Sequence, residues 1–169
     1  MKKHTVIFTL FILLTSFFLG CEKDEICLEE ITPKLVIRFY DNEDPTEYKS
    51  VSNLKIQLVG IDGEYIDQNI GAAVDSVAIP IKVTEDSTTF QLILNGNDTD
   101  LDNDNEDVFT LNYTREDIFV SRSCGYKTVF HDATTQLNTD SDNWIISIET
   151  VEDPQSITTQ KSKHVKIFH

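Results

Sequence analysis

The residues whose types and spacing could do chemistry gather in one acidic run. Asp98, Asp100, Asp102 and Asp104 alternate with Thr99, Leu101 and Asn103, and Asn105, Glu106 and Asp107 follow. Alternating carboxylates can converge hard oxygen donors on Ca²⁺. An EF-hand loop beginning at Asp100 would need Gly at its sixth place and Glu at its twelfth. Those places hold Asn105 and Leu111, so the match to that loop fails. The run is expected to be either a weak Ca²⁺ site with Asp98, Asp100, Asp102 and Asp104 as ligands, or a solvated loop between two strands.

A second concentration of chemistry is basic. Ser121-Arg122-Ser123-Cys124-Gly125-Tyr126-Lys127 places Arg122 and Lys127 together in a chain with 14 basic and 29 acidic residues. Arg122 could fork a carboxylate of an anionic ligand, with Lys127 beside it. The structural alternative has Gly125 in a bulge and Arg122 paired with an acid. The histidines outside the leader are His131, His164 and His169. His164 and His169 are an odd number of residues apart, which puts them on opposite faces of a strand, and no cysteine cluster accompanies them. Zinc is therefore not expected. Ser121 and Ser123 lack the nucleophile-elbow context, and no Ser is paired with a His in the sequence. No catalytic residue is assigned and the chain is expected not to be an enzyme.

Three cysteines occur. If Cys21 is acylated, Cys27 and Cys124 remain, and an even remainder in an oxidising compartment implies one disulfide between them. The alternative is two buried thiols that pack as small hydrophobes.

The elements that must hold these residues read as strands. Leu35, Ile37 and Phe39 alternate with Val36, Arg38 and Tyr40; Leu54, Ile56 and Leu58 with Lys55 and Gln57. Phe90, Leu92 and Leu94 share a face, as do Phe109, Leu111 and Tyr113. Further strands are expected over 125–131, over Trp144, Ile146 and Ile148 facing inward, and over 164–168. Pro80 makes 77–83 an edge or bulged strand. Turn signals stand at Asn42–Pro45, Asp62-Gly63, Asn95-Gly96, Asn138–Asn143 and Asp153-Pro154. No apolar stripe of helical period follows residue 21. This pattern predicts an all-β fold: one antiparallel β-sandwich of immunoglobulin- or transthyretin-like kind over 34–169, with a closed β-barrel as the alternative.

The N-terminus carries an address. Lys2 and Lys3 precede an apolar run from Val6 to Leu19 that is short for a membrane span and reads as a signal peptide over 1–20. The run ends Phe18-Leu19-Gly20-Cys21, which resembles a bacterial lipobox, although Phe18 and Leu19 stand where that pattern has Leu and a small residue. The resemblance implies acylation at Cys21, with 21–33 as a lipidated acidic tether. Glu22-Lys23-Asp24-Glu25 looks like the export signal of surface lipoproteins in Bacteroidota, or is a solvated linker.

Four stretches together resemble a family of small uncharacterised Bacteroidota envelope lipoproteins, a domain of unknown function: CEKDEICLEEITPKLVIRFY (21–40), FVSRSCGYKTVF (119–130), NWIISIE (143–149) and HVKIFH (164–169). That resemblance implies an outer-membrane lipoprotein of all-β fold and supplies no activity. The net charge of −15 argues against nucleic acid, whose phosphates need clustered cations. Expected instead are a membrane reached through the lipid, on the periplasmic face or the cell surface, and an envelope protein or glycan as partner. The expected function is a non-catalytic binding or assembly module. The alternative is a glycan- or peptide-binding module with Ca²⁺ in the acidic loop, and a spatially assembled hydrolase stands third.

Overall fold

The computed structural model describes residues 26–28, 32–58, 73–151 and 156–169. The signal peptide, Cys21, Glu22–Glu25 and the turn signals at Asp62-Gly63 and Asp153-Pro154 lie outside these residues.

Among the described residues ten strands form: β1 (Leu35–Tyr40), β2 (Val51–Ser52), β3 (Lys55–Leu58), β4 (Ala73–Val74), β5 (Ser76–Ile79), β6 (Ser87–Leu94), β7 (Asn105–Ser121), β8 (Gly125–Asn138), β9 (Ser147–Thr150) and β10 (Val165–Phe168). One sheet has the order β5-β1-β10-β9 and the other β3-β6-β7-β8, with β2 and β4 as a small ribbon. Both large sheets are open, so the architecture is a β-sandwich and not a closed barrel.

The alternation read from the sequence is what packs. Leu35, Ile37 and Phe39 of β1, and Val165 and Ile167 of β10, are fully buried against Ile56, Phe90, Leu92, Phe109 and Leu111 of the facing sheet. A period of two puts one face of each strand inward, and burying both inner faces together removes that apolar surface from water. Pro80 follows the last residue of β5, which is an edge strand, as a missing N–H requires. The antiparallel expectation is corrected at one place: β1 and β10 run parallel, with Ile37 opposite Val165 and Phe39 opposite Ile167. Alternation fixes which face is buried but not strand direction, and the first and last strands have no hairpin to impose one.

A second correction concerns 144–148. Ile145 is buried and Ile146 is 57% exposed, the reverse of the expected phase. The cause is Asp107, whose carboxylate accepts the Ile145 N–H at 2.6 Å and Asn143 Nδ2 at 2.8 Å. These bonds hold 143–145 in a turn, and β9 starts only at Ser147. Trp144 still packs on the core, donating Nε1 to the Leu92 carbonyl at 3.3 Å.

The hairpin Asn95-Gly96 turns as expected, with Asn95 at φ 63°. Gly96 is needed for space: a Cβ there would stand 2.6 Å from Ile93 Cγ2. This contact also explains why Ile93, on the outward face of β6, is buried.

Candidate functional site

The strands β7 and β8 run on together past β6, whose pairing with β7 ends at Asn112. Along β7 burial alternates through Phe109, Leu111 and Tyr113, and then every residue from Thr114 to Phe119 is exposed. A β-bulge marks the change: the register with β8 shifts between Asn112 and Thr114, and Asp132 takes φ 52°. The extra residue bends the ribbon, and Thr114 Oγ1 donates to Asp132 Oδ2 at 3.2 Å across it. Beyond the bulge, Thr114–Ser121 pairs with Gly125–His131 as a two-stranded arm about 25 Å long at ~3.3 Å per residue.

A lone two-stranded ribbon is marginally stable in water. This one is reinforced along its length. Thr128 Oγ1 donates to Asp117 Oδ1 at 2.8 Å, and Phe119 meets Tyr126 edge-on with centroids 5.5 Å apart. At the tip the disulfide expected from the cysteine count joins Cys124 to Cys27, 97 residues apart in sequence, with Cα atoms 5.0 Å apart. The neighbours of Cys27 do not pack: Ile26 is 81% exposed and Leu28 92%. The arm is thus covalently joined to the segment that leads back to Cys21.

Arg122 and Lys127 belong to this tip. Arg122 sits in the turn and is exposed, while Lys127 lies on β8 opposite Ile118. Among the described residues the ion pairs join Arg38 to Asp75, Lys49 to Asp41, Lys82 to Glu85, Arg115 to Asp86, His131 to Glu116 and Lys166 to Glu149. Gly125 does mark a bulge, at φ 73° with a register shift beside it.

The acidic run forms the β6–β7 loop, with one turn of 3-10 helix over Leu101–Asn103. Its carboxylates are turned to local backbone. Asp98 Oδ1 accepts the Asp100 N–H at 2.8 Å and Asp100 Oδ1 the Asp102 N–H at 3.2 Å. Asp98 Oδ2 also accepts from Asn53 Nδ2 at 3.3 Å. Such Asx turns set the loop without converging the oxygens. Among the described residues, no three His, Cys, Asp or Glu stand together as a metal site. Asp107, the last acid of the run, is 1% exposed, and its burial pushes the carboxyl above the ordinary carboxylate value.

Sequence reasoning missed one arrangement. His131 Nδ1 lies 3.0 Å from Ser156 Oγ, and His131 Nε2 lies 3.0 Å from Glu116 Oε2. Ser, His and carboxylate are thus in hydrogen-bonded series, drawn from β7, β8 and a distant segment. Glu116 is largely exposed, and Ser156 neighbours Ile157, whose N–H and C=O bond Phe130. The chain of bonds therefore clamps 156–157 to the base of the arm. No local sequence signal shows it, because the register of β7 on β8 and the Phe130–Ile157 bridge bring 116, 131 and 156 together.

His164 and His169 stand apart, at the two ends of β10. His164 Nδ1 accepts the Val36 N–H at 2.9 Å, so its proton is on Nε2. His169 stacks edge-on against Trp144 at 5.6 Å. Burial lowers the pKa of both from the ordinary histidine value. Among the described residues Nε2 of His164 meets no hydrogen-bond partner, and the ring borders a cleft of about 270 Å³ floored by Leu111, Ala133, Ile157 and Val165.

Residues 53–169 match the sequence profile of a family of unknown function, DUF6452. That span includes Cys124 and begins after Cys27. No curated protein and no solved structure matches the chain.

Proposed function

The chain belongs to the DUF6452 family of unknown function, and from that premise we propose that it is an outer-membrane lipoprotein, anchored through an acylated Cys21, whose sandwich serves as a non-catalytic binding and assembly module of the cell envelope. The observation that carries this reading is the arm. Val129 and Phe130 root its β8 strand in the buried interior, but β7 is exposed throughout from Thr114 to Phe119, and a disulfide ties the tip to the tether. Among the described residues, β7 from Thr114 onward pairs with β8 alone, and β8 takes one further backbone bridge, Phe130 to Ile157. Open strand edges are templates on which a partner chain can add a strand. The lysines of the leader, its apolar run and Gly20-Cys21 support the anchor. The domain faces the periplasm or the cell surface.

The test is crosslinking in intact cells from photoreactive residues placed at Glu116 and Thr128, followed by capture and mass spectrometry. A stoichiometric envelope protein lost on reduction of the disulfide is expected. Recovery of the lipoprotein alone at good crosslinking yield overturns assembly and favours the glycan- or peptide-binding alternative. The anchor has its own test: Cys21→Ser is expected to release the protein from membranes, and retention there overturns the tether.

One observation favours a second reading. The Ser156–His131–Glu116 series has the components of a nucleophile, a base and its orienting acid. An exposed Glu116 orients the ring weakly, since water competes for its carboxylate. A fluorophosphonate probe that labels the wild type but not Ser156→Ala would establish a hydrolase and overturn the non-catalytic reading.

A further inference from the structure

The tip of the arm joins three features that occur together nowhere else among the described residues. The first is exposed apolar and aromatic surface: Phe119 is 55% exposed, Tyr126 66%, Ile26 81% and Leu28 92%. The second is charge. From Ile118 to Lys127 the chain carries Arg122 and Lys127 and no acid, against 29 acids in the whole. The third is the Cys27–Cys124 bond, which fixes this surface beside the tether.

We propose that the tip docks on the headgroup layer of the membrane in which the chain is anchored. The aromatic and aliphatic side chains enter the interface, and Arg122 and Lys127 reach lipid phosphates. This deepens the lipoprotein reading and rests on it. Chain length argues for lipid as the occupant. Six peptide units join Cys21 to Cys27, an extended reach of about 21 Å at most. An acyl anchor at Cys21 therefore keeps Cys124 within reach of the headgroups at all times. The side chains suit that place, because Tyr and cations favour the boundary between headgroups and acyl chains, where an apolar body and a polar tip are both satisfied.

The acidity of the body does not forbid the contact. Cys124 stands about 20 Å along β8 from the core residue Phe130, beyond the screening length of ~8 Å at physiological salt, and the acids on the arm itself, Asp117 and Glu116, are bound to Thr128 and His131. The acids of the tether, Glu22, Asp24 and Glu25, do lie close to Cys27 in sequence and compete for the same cations. The apolar residues thus carry most of the contact, and Arg122 and Lys127 select phosphate-bearing lipid.

The natural chain has a single Trp, Trp144, in the sandwich. Tyr126→Trp adds a reporter at the tip. The acylated full chain is reconstituted in vesicles of phosphatidylethanolamine and phosphatidylglycerol, with or without brominated acyl chains, which quench indole on contact. Loss of the emission added by Tyr126→Trp, with Trp144 of the wild type unaffected, is the expected result. Phe119→Ser is expected to lower the docked-to-undocked ratio at least about tenfold. Arg122→Gln with Lys127→Gln is expected to abolish the dependence on phosphatidylglycerol. Hydrogen exchange over 118–127 reads the same docking in the unsubstituted chain, as slower exchange in vesicles than in neutral detergent.

Flotation of the vesicles separates the two readings. A chain that floats while the added indole stays unquenched and 118–127 exchanges equally in both media overturns docking and leaves the anchor standing. A chain that does not float overturns both. Slowed exchange confined to native membranes, and missing in pure lipid, overturns lipid as the occupant and identifies a protein in its place.

Discussion

Replacing Asp107 with Ala removes a carboxylate that organises the junction between the two sheets. The side chain is 1% exposed and accepts from Asn143 Nδ2 and the Ile145 N–H. Alanine orphans the buried Ile145 N–H, while the part-exposed Asn143 Nδ2 keeps the Asn138 carbonyl at 3.3 Å. An orphaned buried donor costs about 1–3 kcal/mol, and relief of the buried charge offsets part of the sum. The expected loss is about 1–3 kcal/mol, a sizeable share of the 5–15 kcal/mol typical of a domain. At this chain length that lowers Tm by roughly 3–10 °C. Urea unfolding followed by far-UV circular dichroism measures it. The emission of Trp144, beside the substituted site, gives a second reading of the same transition. Asp107→Asn keeps one acceptor but turns an amide donor toward one of the two partners, so it falls between wild type and alanine. The pH dependence gives an independent check. Burial raises this carboxyl above its ordinary value of 3.8, so the native state binds its proton first. The unfavourable contribution is full above the raised value and is relieved as pH falls through it toward 3.8. The stability difference between wild type and Asp107→Asn therefore grows in favour of wild type on acidification from neutrality. An Asp107→Ala loss below about 1 kcal/mol, or a difference independent of pH, refutes the reasoning.

Four further outcomes are expected. Reduction of Cys27–Cys124, or Cys27→Ser with Cys124→Ser, lowers stability by up to about 4 kcal/mol and speeds amide exchange over 118–127 before the sandwich core; unchanged exchange at the tip would show the arm is stable unaided. His164 has a pKa below the ordinary 6.5, so its contribution is present above that value and is lost as pH falls below it. The stability difference between wild type and His164→Gln, measured by denaturant titration, should therefore shrink on acidification below pH 6.5. Gly96→Ala drives a Cβ against Ile93 and is expected to cost about 1–3 kcal/mol; a neutral substitution would mean the β6–β7 loop yields freely. Millimolar Ca²⁺ is expected to leave Tm unchanged, since the oxygens of Asp98 and Asp100 are committed to Asx turns, and a rise in Tm would show that they release.

The sequence alone determined the all-β class and most of the core. Phe39, Phe90 and Phe109 were legible as buried because a period of two is a local property, written in each strand without reference to its neighbours. The Cys27–Cys124 bond was legible by counting. Only the tertiary structure decided the parallel pairing of β1 with β10, because Ile37 and Val165 are far apart in sequence and no local signal sets their relative direction. It also decided the fate of Ile146, since a bond from Asp107, far along the chain, resets the phase of 143–148. The arm was hidden for a related reason. From Thr114 to Asp117 both faces meet water, so no alternation is written there, and the strands persist because each supplies the other's backbone partners. The tip was visible as residues, Arg122, Lys127 and Cys124, but not as a surface. Its Phe119 and Tyr126 became one patch when register placed them opposite each other, an outcome of pairing between strands that neither strand encodes alone.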